Sequence, residues 1–165
     1  MEPEITLIFV FVATLVVLKF FKRKFLWKQS GQIAMSAMLI VTSIGHVIYS
    51  VGMEKMIPAV IPFKTEIVYL TGLFEFACAV ALFFPSLRKI TGWVLIIFLT
   101  LITPANIYAA VNNINIETGR QDGDGLAYLW YRIPLQILFI SWVYFSSIDK
   151  NNDNPDIKKK INLKK

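Results

Sequence analysis

One cysteine and one histidine in 165 residues remove most of the chemistry that a small protein performs with side chains. Cys78 has no partner thiol, which excludes an internal disulfide, a CxxC redox pair and a cysteine zinc cluster. His46 is the sole imidazole, so haem held by two histidines is excluded and an ordinary transition-metal cage is short of ligands. No GxGxxG, GxxxxGKS/T or GxSxG occurs, leaving neither a nucleotide fingerprint nor a hydrolase elbow. The run QDGDG at 121–125 is part of a calcium-loop pattern without its other acidic positions or closing glutamate, and reads as a Gly/Asp turn. Charge is also scarce, at 17% of residues against 56% hydrophobic. The expected class is therefore an all-α integral membrane protein, with no catalytic motif and no evident cofactor.

The hydrophobic residues fall into five blocks, 5–21, 33–50, 67–84, 90–111 and 133–148. At about 1.5 Å per residue an 18-residue block covers roughly 27 Å, close to a hydrocarbon core of about 30 Å. Each block is a predicted transmembrane helix, the last needing Tyr131 and Arg132, or local thinning, to complete its crossing. Glu2 and Glu4 precede the first block and Lys22, Arg23 and Lys24 follow it, the reverse of a secretory signal, which predicts an uncleaved anchor with its N-terminus outside. Alternation from there leaves only Lys55, Lys64, Arg120 and Arg132 of the 17 basic residues outside, and puts the C-terminus in the cytoplasm. The net charge of +6 thus records orientation, not a nucleic-acid partner. The expected location is a bacterial inner (plasma) membrane.

Three segments follow: a membrane anchor with a basic linker over 1–30, a four-helix domain over 31–148, and a basic tail over 149–165 whose polar composition predicts disorder. The outer connection GMEKMIPAVIPFKTE, 52–66, is expected along the interface as a short cap.

A few polar side chains interrupt the apolar blocks. Glu75 falls roughly 13 Å from the outer end of its helix, and His46, Asn106 and Gln136 about four to six residues in. Because Cα–Cβ bonds tilt toward a helix N-terminus, Glu75, Arg132 and Gln136 lean outward while His46 and Asn106 lean inward, and the five converge on one level. Small neighbours such as Gly45, Thr71 and Gly72 permit close helix approach, and Pro104 predicts a kink beside Asn106. A lone ionised carboxylate at such depth costs about 2.5 to 3.5 kcal/mol on insertion scales. His46 is the natural partner of Glu75, with Arg132 as a fixed cation nearby. The set reads either as an interhelical hydrogen-bond clamp or as a ligand pocket.

GHVIYSVGMEKMIPAVIP (45–62), TGLFEFACAVALFFPSLRKITGW (71–93), TPANIYAA (103–110) and RIPLQILFISWVY (132–144) together resemble the DoxX-like membrane proteins over residues 31–148. The resemblance implies a four-helix transmembrane bundle, to which block 5–21 adds an extra N-terminal helix. It also implies kinship with DoxD-type subunits associated with quinone-linked sulfur oxidation, MauE-type maturation proteins and the receptor-assembly chaperone NACHO. The paired thiols of a MauE-like redox protein are missing. Three functions stay open: an accessory or assembly factor bound to another membrane protein or to a second copy, a redox subunit holding a quinone headgroup at His46 and Glu75, and a small-molecule transporter. Transport ranks last, because five short helices without internal repeats make alternating access hard to build.

Overall fold

A computed structural model describes residues 3–23 and 25–149, and it contains seven α-helices, a closing π-helical turn and no strand among those residues. All but Asp149 of the expected tail over 149–165, with Met1, Glu2 and Lys24, lies outside the described residues. Helix α1 (Pro3–Lys22) has Glu4 in its first turn and Lys19 and Lys22 in its last, the order that complements a helix dipole. Only Leu7 and Leu15 of this helix are buried, so it lies on the outside of the assembly. Arg23, at φ +53°, turns the chain back into α2 (Trp27–Ile48).

The second helix starts six residues before the expected block. Gly31 and Ser30 are small enough to pass beneath neighbouring helices, and the Trp142 indole N–H donates to the Gly31 carbonyl at 3.0 Å, extending the packed segment toward Trp27. After Tyr49 a short α3 (Ser50–Lys55) continues outward and gives way to turns ending at Phe63, which takes a left-handed φ of +55°. Part of the expected interfacial cap is thus helical. Helix α4 (Lys64–Ala81) follows.

The fourth predicted span is two helices, α5 (Arg88–Leu101) and α6 (Thr103–Val111), broken at Ile102. Pro104 is the cause, since it cannot donate to the preceding turn. Side chains meet the backbone beside the break: Gln136 Nε2 and Thr103 Oγ1 both donate to the Leu99 oxygen. Helix α7 (Ala127–Val143) begins six residues before the expected block and runs into the π-helical turn Tyr144–Ile148. With 17 residues and then 5 more, the last segment is longer than the expected block and includes Tyr131 and Arg132.

Helix α2 is central, touching α1, α4, α7 and the π-helical turn. Met35, Met38 and Leu39 from α2, Leu95 from α5, and Leu135 and Val143 from α7 form the buried core. Tyr131 donates to the Glu4 carboxylate, and Lys28 Nζ to the Asp149 carbonyl. The starts of α1 and α7 therefore share one end of the bundle, and the start of α2 and the end of the π-helical turn share the other. Among the described residues three segments are long and apolar enough to cross a membrane: Pro3–Lys22, Trp27–Ile48 and Arg88–Val111. Helix α4 carries Lys64, Glu66 and Glu75 within its 18 residues, and α7 alone has 17.

Candidate functional site

The site begins with a glycine. A Cβ at Gly72 would stand 2.7 Å from His46 Cβ, so only glycine lets the last turns of α2 approach the middle of α4. That approach sets His46 Nε2 4.0 Å from Glu75 Oε1 and 3.5 Å from Thr71 Oγ1. The Thr71 hydroxyl lies 2.9 Å from each of the Ile67 and Val68 carbonyls, which take its only proton. Its oxygen can then only accept from the imidazole, so this contact is a hydrogen bond when Nε2 carries a proton, and Nδ1 lies on the other side of the ring. That Nδ1 is buried with no hydrogen-bond partner among the described residues.

Glu75 is 6% exposed. The Thr42 hydroxyl and the Arg132 guanidinium both act on its carboxylate, yet Oε2 is buried with no hydrogen-bond partner among the described residues. At 4.0 Å the contact with His46 is an ion-pair distance and too long for a hydrogen bond.

Asn106 is buried in the first turns of α6, where the break at Ile102 aims it at α7. Tyr128 donates to Asn106 Oδ1 at 3.3 Å, while Asn106 Nδ2 is buried without a partner among the described residues. Arg132, half-buried one turn after Tyr128, acts electrostatically on both Tyr128 and Glu75. Gln136 is buried, and its amide nitrogen is committed to the Leu99 carbonyl.

The structure thus joins His46 with Glu75, pairs Asn106 with Tyr128, sets Arg132 between the two groups through its charge, and turns Gln136 to the α5 backbone. Sequence reading missed Tyr128, because it precedes the expected start of the last helix and reads as an interfacial ring. Cys78, one turn beyond Glu75, is buried in the apolar core. Beside Thr71 a cavity of about 340 Å³ opens between α4 and α5, walled by Ile67, Leu70, Phe74 and Phe98, with the two phenylalanine rings 4.9 Å apart. Its one polar wall residue, Thr71, is the residue that touches His46. The arrangement offers an imidazole nitrogen, a carboxyl oxygen and an amide donor, next to an apolar space.

Residues 35–147 match the family described as Domain of unknown function (DUF8561), a range that begins inside α2 and leaves α1 outside it. No curated protein and no solved structure matches the chain.

Proposed function

The chain belongs to the DUF8561 family, and from that premise we propose that it is a DoxX-like integral membrane accessory or assembly factor without an enzymatic reaction of its own. In this reading residues 31–148 form the four-helix membrane domain, 1–30 the added anchor and 149–165 a cytoplasmic tail. Five segments cross a bacterial inner membrane, with the N-terminus outside. His46, Glu75, Asn106 and Arg132 surround the working site, with Gln136 bracing the α5 backbone beside it, and the partner is another membrane protein or a second copy of the chain.

The single observation that carries the proposal is the set of orphaned polar atoms: His46 Nδ1, Glu75 Oε2 and Asn106 Nδ2 are buried without hydrogen-bond partners among the described residues. A clamp that only holds helices together would join these groups to each other, because each unsatisfied group costs about 1 to 3 kcal/mol. A site that receives a ligand or a partner's polar group leaves them open.

A quinone is the second reading, favoured by the cavity beside Thr71. A bound quinone would supply redox chemistry, and Phe74 and Phe98 would flank its ring. His46 and Glu75 would hold its polar edge and exchange protons there. Electrons would have to come from a separate partner.

Purification in mild detergent followed by mass spectrometry of co-purifying proteins, lipids and quinones tests both. A stoichiometric membrane protein, lost in Glu75→Gln, is the expected result. A stoichiometric quinone replaces the first reading with the second, and neither in stoichiometric amount overturns both. Orientation has its own check: in a Cys78→Ser background, an impermeant maleimide applied to intact cells should label a cysteine at Gln121 and spare one at Ser86. Equal labelling contradicts the topology.

A further inference from the structure

The opposite end of the bundle contains a second cleft, of about 400 Å³, between α1, the first turns of α2, and α7 with its π-helical turn. That volume lies near the lower bound of the roughly 300 to 1,000 Å³ usual for small-molecule pockets. The cleft exists because Gly31, Ser141 and Ser146 are small where the helices meet. Its walls are aromatic: Phe11 lies edge-on to Trp142 at 4.8 Å and tilted to Trp27 at 6.0 Å, and Phe145 extends the apolar side.

One end of the cleft is cationic. Lys28 lines it while donating to the Asp149 carbonyl. Trp27 stacks on Phe25 at 5.7 Å, and the Lys19 ammonium sits 4.4 Å over the Phe25 ring. Lys22 and Arg23 follow directly in the turn from α1 to α2. Asp149 is the described acid at this end, so positive charge predominates. An aromatic trough with Lys28 at one end, and Lys19, Lys22 and Arg23 in and before the adjoining turn, matches a molecule with an apolar chain and an anionic head.

We propose that this cleft seats a phospholipid with an anionic headgroup, one acyl chain lying against Phe11, Trp142 and Phe145 and the phosphate held at the Lys28 end. The site is separate from the His46–Glu75 pair, and its occupant does not depend on what that pair binds. The indole of Trp142 serves two purposes here: it fixes α7 to α2 through the Gly31 carbonyl and presents its ring to the lipid chain. The added helix α1 then has a defined role, since Phe11 supplies the wall that the other helices leave open.

Tryptophan quenching reads the site directly. The chain has four tryptophans, and Trp93→Phe with Trp130→Phe leaves Trp27 and Trp142, both at the cleft. The full chain is reconstituted in phosphatidylcholine vesicles doped with phosphatidylglycerol or phosphatidylcholine carrying brominated acyl chains. The brominated phosphatidylglycerol should reach half its quenching at a roughly fivefold lower mole fraction, equivalent to about 1 kcal/mol. Ser141→Leu, which fills the cleft, should bring the two curves together. Should that variant fail to fold, Lys28→Gln keeps the apolar walls and is expected to remove the preference. Coincident curves in the parent protein overturn the proposal, as does an unchanged preference in folded Ser141→Leu or in Lys28→Gln. Coincident curves are also the result expected if a protein segment occupies the cleft.

Discussion

Gln32, Trp142 and Lys28 each donate to a backbone carbonyl on another element, those of Ser146, Gly31 and Asp149. About 15 residues and roughly 22 Å further along α2, His46 faces Glu75 across 4.0 Å, with one buried atom of each, Nδ1 and Oε2, lacking a hydrogen-bond partner among the described residues. Both ends hold buried polar groups, but their chemistry differs. At the first end the buried atoms without partners among the described residues are the Ser30 and Ser36 hydroxyls and Gln32 Oε1, all on neutral side chains. At the second they include an imidazole nitrogen and a carboxyl oxygen. Neutral side chains bonded to backbone hold helices together cheaply, whereas an ionisable pair left open inside an apolar bundle costs stability and so points to use.

The comparison can be sharpened by breaking each end in turn. The largest effect should come from Gly72→Leu, which drives a side chain into His46 where even a Cβ would be 2.7 Å away. Overpacking there should cost about 3 kcal/mol, read as a lower melting temperature in detergent. Gly45→Ala is the control, since its Cβ would meet only Tyr49 at an ordinary 3.9 Å. Similar losses in the two variants would remove the close α2–α4 approach from the account.

Next is Gln136→Leu, which takes a donor from the Leu99 carbonyl near the break between α5 and α6. A loss of about 1 to 3 kcal/mol is expected, with ligand or partner retention unchanged if this residue serves the backbone. Loss of the ligand with normal stability would move Gln136 back into the pocket. Trp142→Phe keeps the ring packing and removes the bond to Gly31, so it should cost only about 0.5 to 1.5 kcal/mol. The smallest effect belongs to Cys78→Ala, about 1 kcal/mol or less, with any later-assigned activity within a few-fold of the parent. Complete loss of activity in a normally expressed protein would bring thiol chemistry back.

How much was legible in the sequence depended on whether local chemistry or tertiary contact decided the outcome. Helical composition and the break near Asn106 follow from apolar runs and from Pro104, and both are present. The starts of α2 and α7 each fall six residues early, because Trp27 to Gln32 and Ala127 to Arg132 carry polar groups that only neighbouring helices make acceptable. His46 and Glu75 could be matched from depth and direction along straight helices. Gln136 and Asn106 could not be placed that way, because Gln136 donates from α7 to the Leu99 carbonyl of α5 and the break turns Asn106 toward Tyr128. The polar group at Gln32 and Ser146 escaped notice, since Gln32 lies just ahead of the expected span and its partner is a backbone oxygen 114 residues away.

The central claim is that His46 and Glu75 form one ligand-receiving site. It is tested most directly by a double-mutant cycle with Glu75→Gln, His46→Gln and the double variant, following melting temperature and retention of the co-purified ligand or partner together. Coupling predicts loss of that component in each single variant, a double variant no less stable than the poorer single, and an interaction energy of about 0.5 to 3 kcal/mol. Additive effects on stability with every co-purified component retained would contradict the account and leave Glu75 a locally accommodated side chain in α4.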